Sequence, residues 1–207
     1  MSDNSCKIVL VGDPGVGKTC IIQRYTLNKF DPNTESTGAA STYTFKEIYY
    51  EEYNKSISFD IWDTAGQEQY RSLANNFYIN AAIGILVYDI TIRSSFESLQ
   101  DYWHEQLKSL GEKNIIFGVA GNKSDLVEEE KVTEEEGKKF AESINAVFFL
   151  TSCKESVGID DLFRECGKKY LEVNNLIDNK DQGKEKIVLN KKDINNSKKK
   201  GKKRKFC

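Results

Sequence analysis

The chain has 207 residues, 39% hydrophobic and 30% charged, which suits one domain with a core plus a tail and offers no run near the ~20 apolar residues of a membrane-spanning helix. The net charge of −2 hides a division: residues 174–207 carry twelve Lys and Arg against four Asp and Glu, and the first 173 carry 18 against 28. An acidic body with a basic tail argues against nucleic-acid binding by the body and for a tail that seeks an anionic surface.

In chain order, residues 7–11 (Lys-Ile-Val-Leu-Val) predict a short buried strand, Gly12 opens a loop, and helical periodicity runs from Lys18 through Tyr25. Residues 41–51 and 56–62 alternate apolar and polar and predict a hairpin at a sheet edge, with Asn54 and Lys55 in its turn. Residues 82–88 are nearly all apolar, as in a strand covered on both faces. Ser94 and Ser95 precede a long helix to about Leu110. There follow a strand over Ile115–Ala120, a helix from Thr133 whose start is marked by the Thr133/Glu136 capping box, a strand over Val147–Leu150, and a helix from Ile159 to about Val173. Strands alternating with helices predict an α/β fold: a mostly parallel six-stranded sheet with one antiparallel edge strand and helices on both faces. Ligands of such sheets bind at the carboxyl ends of the strands. Residues 1–173 read as the folded domain, and 174–207, with few apolar residues, as a flexible tail.

Five cysteines (Cys6, Cys20, Cys153, Cys166, Cys207) show no CxxC or zinc-type spacing, so neither a disulfide framework nor a zinc site is expected, and a reducing cytosol fits. The N-terminus lacks the basic and apolar regions of a signal peptide. The one histidine, His104, has charged neighbours and reads as a bystander on a helix surface.

The motifs fall in loops after predicted strands. Gly12-Asp13-Pro14-Gly15-Val16-Gly17-Lys18-Thr19 fits G-x-x-x-x-G-K-[ST], between a strand and a helix. Its glycines let backbone N–H groups cradle phosphates, the helix N-terminus adds its dipole, Lys18 reaches the β- and γ-phosphates, and the Thr19 hydroxyl is a Mg²⁺ ligand. Asp63-Thr64-Ala65-Gly66-Gln67 ends another strand. Asp63 suits Mg²⁺, through water. Gly66 brings its N–H to the γ-phosphate, and Gln67 orients an attacking water. Gly121-Asn122-Lys123-Ser124-Asp125 follows strand 115–120. The Asp125 carboxylate accepts from N1–H and N2–H₂ of guanine, a donor pair adenine lacks. Asn122 ties this loop to its neighbours, and the Lys123 stem lies against base or ribose. Thr151-Ser152-Cys153-Lys154 ends the last strand, and a backbone N–H near Cys153 faces guanine O6. Together these predict a guanine-nucleotide switch that hydrolyses GTP.

The P-loop, D-T-A-G-Q, N-K-S-D and T-S-C-K, in this order, resemble the Ras superfamily of small GTPases over residues 5–172. Asp63–Glu68, Tyr70-Arg71-Ser72-Leu73 and Leu86-Val87-Tyr88-Asp89-Ile90-Thr91 resemble the Rab branch, and Glu35-Ser36-Thr37 with Gly38-Ala39-Ala40 is similar to the first switch of early-endosomal Rabs. The resemblance implies a P-loop NTPase fold and a catalytic set of Lys18, Gly66 and Gln67. It implies nucleotide contacts from Asp13, Gly15, Val16, Gly17, Lys18, Thr19, Cys20, Phe30, Thr37, Gly66, Asn122, Lys123, Asp125, Ser152, Cys153 and Lys154. Mg²⁺ falls on Thr19, Thr37 and Asp63. The family's Thr-Ile-Gly is here Thr37-Gly38, one residue shorter, which leaves Ser36 as an alternative ligand. Trp62 and Tyr78 match aromatic effector-contact positions. Ser41, Gln69, Ile79 and Asn80 depart from the usual Rab residues, and Pro14 stands where the loop is usually small, which predicts altered hydrolysis.

By the same resemblance the expected partners are GTP and GDP, effectors, an exchange factor, a GTPase activator and a GDP-dissociation inhibitor. A monomer without nucleic acid is expected. Seven cations in Lys198–Lys205, followed by Phe206-Cys207, suit a polybasic patch beside one lipid chain. They predict prenylation of Cys207 and a peripheral place on the cytosolic face of endomembranes or plasma membrane, with nuclear import or an inert tail as the competing readings. Alternative functions are a GTP-binding module with little hydrolysis, and a Ras-like signalling or nuclear-transport GTPase.

Overall fold

The structure is a computed structural model that describes residues 5–32, 42–63 and 77–174. The chain divides into two units, Met1–Asn174 and Asn175–Cys207, and every described residue belongs to the first. Six strands form one sheet: β1 (Ser5–Val11), β2 (Thr42–Tyr50), β3 (Lys55–Asp63), β4 (Ile83–Asp89), β5 (Ile116–Asn122) and β6 (Val147–Thr151). Their order is β2-β3-β1-β4-β5-β6, with β2 antiparallel to β3 and every other pairing parallel. This is the sheet the sequence predicts. β1 reads as a continuous apolar run because it sits between two neighbours and under helices on both faces; Ile8, Val9, Leu10 and Val11 are all 0% exposed.

Alternate strand residues feed two cores. On one face Val9, Val11, Leu86, Tyr88 and Val119 pack with Phe96, Leu99, Trp103, Leu107 and Phe140. These come from α2 (Arg93–Ser98), the wide π-helical stretch Leu99–Trp103 that continues it, α3 (His104–Leu110) and α4 (Glu134–Ser143). The other face carries α1 (Lys18–Leu27) and α5 (Ile159–Val173). There the Tyr25 and Phe163 rings stack 3.8 Å apart, and the Tyr50 hydroxyl donates to the Arg164 carbonyl at 3.0 Å. Gly118 and Gly167 let α5 lie close: a Cβ on Gly118 would come 2.8 Å from Cys166 Sγ, and one on Gly167 2.1 Å from the Tyr50 hydroxyl. Both cores therefore clamp one rigid sheet whose upper edge carries the motif loops.

Three details differ from the sequence reading. The β2–β3 turn is a 3₁₀ turn over Glu51–Tyr53 closed by Asn54 at φ 50°, and Lys55 already pairs with Tyr50. The helix after β4 starts at Arg93, with Ser94 and Ser95 inside it. Ser95 is turned into the core, where its hydroxyl accepts from the Asp89 N–H at 3.1 Å and donates to the Ile92 carbonyl at 2.7 Å, so it braces the strand end. His104 is not a surface bystander. Its side chain is 13% exposed, its ring stands edge-on to Phe117 at 4.9 Å and to Phe140 at 6.4 Å, and burial lowers its pKa. Of its sequence neighbours Glu105 is exposed and Trp103 buried; in a helix it is the neighbours three and four positions away, Leu107 among them, that share its face. The Thr133/Glu136 capping box forms as expected, both hydrogen bonds present.

Candidate functional site

The phosphate loop is shaped by three left-handed glycines. Gly12, Gly15 and Gly17 have φ of 145°, 78° and 98°. At two of them space as well as φ demands glycine. A Cβ on Gly12 would lie 2.1 Å from the Val87 carbonyl of β4, and one on Gly17 2.3 Å from Asn122 Nδ2. The loop wraps back on Lys18, the first residue of α1. Lys18 is 6% exposed, and its ammonium donates to the Gly12 carbonyl at 2.8 Å and the Asp13 carbonyl at 2.9 Å. Burial pulls its pKa down to about 8, against the opposing pull of the Asp63 and Asp13 carboxylates. Pro14 and Gly15 form the exposed tip, while Val16 is buried and Cys20 partly so.

From the first turn of α1, the Thr19 hydroxyl donates to Asp63 Oδ2 at 2.8 Å. Asp63 closes β3 and is 1% exposed. A hydroxyl and a buried carboxylate converging beside a buried lysine make a hard-oxygen donor set of the kind Mg²⁺ prefers. Gly66, Gln67, Thr37, Ser36 and Ser41 lie outside the described residues, as do Gln69 and Cys207.

The base side is built on Asn122, the last residue of β5 and 2% exposed. Its Nδ2 donates to the Val16 carbonyl at 2.8 Å, and its Oδ1 accepts from the Thr151 hydroxyl at 3.1 Å and from Cys153 Sγ at 3.7 Å. One amide thus fastens the phosphate loop, β5 and the loop after β6 together. Asp125 is held from the same loop: the Ser152 hydroxyl donates to Asp125 Oδ1 at 2.6 Å and accepts from the Glu155 N–H at 3.0 Å. Burial pushes the Cys153 thiol up to about 12, so it stays protonated and inert. Gly15, Gly17, Cys20, Phe30, Asn122, Lys123, Asp125, Cys153 and Lys154 line a common cavity of about 280 Å³. Phosphate-loop and base-loop residues named from the sequence therefore meet at one pocket.

Three supporting residues were not read from the sequence as such. Asp89 ends β4, is 1% exposed, and takes the Lys123 ammonium on Oδ2 at 2.7 Å. Its Oδ1 accepts from the Thr91 N–H and hydroxyl at 2.9 and 2.7 Å. This pins Lys123, whose φ of 63° is uncommon for a residue with a Cβ. The signal was present: like Asp63, Asp89 is a carboxylate that ends a strand. Trp103 donates its indole N–H to Asp13 Oδ1 at 2.9 Å and so ties the phosphate loop to the helix after β4. Arg24, on α1, reaches the loop after β6. For these two the partners are 90 and 129 residues distant in sequence, and no local pattern marks them. Of the two aromatic positions noted above, Tyr78 is 2% exposed, while Trp62 is half-buried between Tyr43 and Phe77, at 5.3 and 5.8 Å.

Residues 7–172 match the Ras family. The chain belongs to the Ras family of small GTPases. It is 41% identical over 169 residues to the Ras-related protein Rab-22A of Homo sapiens, covering 82% of this chain and 85% of that one. It is 39% identical over 168 residues to the Ras-related protein Rab5A of Oryza sativa subsp. japonica, covering 81% of each. It is 41% identical over 164 residues to the Ras-related protein Rab-31 of Mus musculus, covering 79% of this chain and 82% of that one. This small GTPase is thus a Rab, a GTP hydrolase of membrane traffic that binds GTP and GDP, and the low-hydrolysis, Ras-like signalling and nuclear-transport readings are not favoured. Among its described residues no helix is long and apolar enough to cross a membrane.

In this GTPase the Asn122 amide carries the join between the two halves of the pocket. Asn122→Ala leaves the Val16 carbonyl and Thr151 hydroxyl unmatched, at about 1–3 kcal/mol for each buried group. Release of a fluorescent GDP, followed by stopped flow, should quicken by roughly tenfold or more; a rate within about twofold of the parent would count against this account.

Proposed function

We propose that this Rab holds the guanine nucleotide between the phosphate loop and the Asn122–Asp125 and Ser152–Lys154 loops. The observation that carries the proposal is the Asn122 bridge, which joins phosphate-side and base-side residues into one pocket. Lys18 and the loop N–H groups neutralise the phosphates. The Asp125 carboxylate, steadied on one oxygen by Ser152, accepts the guanine donor pair. Phe30 and the pinned Lys123 stem flank the base.

Thr19 and Asp63, with Thr37 (or Ser36) from the first switch, would hold Mg²⁺, which supplies charge neutralisation across the β- and γ-phosphates when bound. Gln67 orients the attacking water and Gly66 donates to the γ-phosphate. Segment 31–41 contains no arginine to act in cis, so intrinsic hydrolysis is slow, roughly 10⁻³ per second or below, until an activator supplies one. The γ-phosphate orders both switches for effectors, and its loss releases them. We further propose that 1–173 is the nucleotide-binding domain and 174–207 a tail. In that reading, prenylated Cys207 and the polybasic run bring the protein to the cytosolic face of an endomembrane or the plasma membrane, where exchange factor, activator, effectors and GDP-dissociation inhibitor act.

Nucleotide extracted from the purified protein should be GDP or GTP at about one per chain. Asp125→Asn replaces an acceptor by a donor. It should weaken GDP by roughly a hundredfold while raising affinity for the xanthine diphosphate, whose C2 oxygen accepts; unchanged GDP affinity by calorimetry rules out the base assignment. Pro14→Gly should change the single-turnover hydrolysis rate, with or without activator, since the ring removes an N–H and fills the loop tip. Equal rates in both conditions would discard that role. Cys207→Ser should move the protein from membrane to soluble fractions of expressing cells, because a polybasic patch without its lipid anchors weakly. Undiminished membrane binding would end the lipid hypothesis.

A further inference from the structure

We infer that Arg24 is a positioning residue for guanine recognition, acting through the peptide that follows Cys153; the inference rests on the base site proposed above. Arg24 lies in the last turn of α1, six residues beyond Lys18. Its guanidinium binds three things at once. Nε donates to the Cys153 carbonyl at 2.7 Å, and NH2 reaches the Lys154 carbonyl at 3.5 Å. NH1 donates to both the backbone and side-chain oxygens of Asn28, at 3.2 and 3.1 Å. The guanidinium carbon also stands 5.9 Å from the centroid of the Phe30 ring.

These contacts bear on two walls of the pocket. Asn28 is the left-handed cap of α1, with φ 51°, and its N–H returns to the Arg24 carbonyl at 3.0 Å. The cap sets the direction in which the chain leaves toward Phe30, two residues on. Phe30 is 37% exposed and lines the cavity, with this turn and the cation beside it. The bond to Cys153 acts differently. A trans peptide is planar with its C=O and N–H antiparallel, so aiming the Cys153 carbonyl at Arg24 aims the Lys154 N–H the opposite way. Cys153 and Lys154 both line the cavity. A charge-assisted bond is about twice as strong as a neutral one, which makes the guanidinium an effective orienting group for that peptide. A lysine has no planar fork and cannot serve the three directions together.

The guanine group that meets a backbone donor is O6. A base whose C6 oxygen is replaced by sulfur keeps N1–H and N2–H₂ for Asp125 but offers a weaker acceptor at C6. The parent protein should therefore prefer GDP over 6-thio-GDP by about tenfold. In Arg24→Ala that preference should collapse to about twofold, while preference for GDP over inosine diphosphate, which tests the N2 donors at Asp125, stays as in the parent. Arg24→Lys should fall between and keeps a cation should Arg24→Ala fail to fold. Binding is read by competition against a fluorescent GDP on full-length protein. Equal weakening of GDP, 6-thio-GDP and inosine diphosphate would make Arg24 a general brace and overturn the inference, as would an unchanged ratio. If the parent shows no preference for GDP over inosine diphosphate, the base site itself is misplaced, a separate failure.

Discussion

A single buried amide holds this site together. Asn122 ends β5 at the sheet's carboxyl edge, donates into the phosphate loop at Val16, and accepts from Thr151 at the end of β6. Three chain segments more than a hundred residues apart at their extremes converge on it. The left-handed glycine at Gly17 exists partly to make room for it, since a Cβ there would collide with Nδ2. Removing the amide leaves buried polar groups on both sides without partners, a larger penalty than the bonds' net worth. The loops' relative placement, and with it the single pocket they line, follows from that constraint.

Around this bridge the site is arranged as nested supports. Asp89 pins the Lys123 ammonium, Ser152 steadies Asp125, Trp103 secures the Asp13 carboxylate, and Lys18 is folded under its own loop. Every one of these supports leaves the end of a strand or the face of a helix packed on the sheet. Rigid elements, not the loops themselves, therefore determine where the polar atoms sit. The two cores matter to chemistry in this sense: the close approach allowed by Gly118 and Gly167 holds α5 against the sheet, and the loop before α5 carries Ser152, Cys153 and Lys154.

Much of this was legible in the residues because the determinants are local. The strand order class, the P-loop, the strand-end Asp63 and the Asn122-to-Asp125 run depend on neighbours within a few positions, as does the Thr133 capping box. Most of what escaped was non-local. His104 sits in a charged stretch, yet the helix turns it onto Phe117 and Phe140. Ser95 looks like a helix start but is a brace for Asp89. Arg24 and Trp103 find partners only after the sheet has assembled, so their roles belong to the tertiary fold. Residues such as Thr37 and Gln67, named from motif spacing, lie outside the described residues.

The β2–β3 ladder has one more consequence. Its rungs run from Tyr50 opposite Lys55 to Thr42 opposite Asp63. The last rung thus sets Thr42 beside Asp63, where paired Cα atoms stand only about 5 Å apart. The acid on that rung also receives the Thr19 hydroxyl, so the hairpin and α1 meet at one carboxylate. The open end of the hairpin is thereby moored to the helix that follows the phosphate loop, and a shift of either is felt at the same acid.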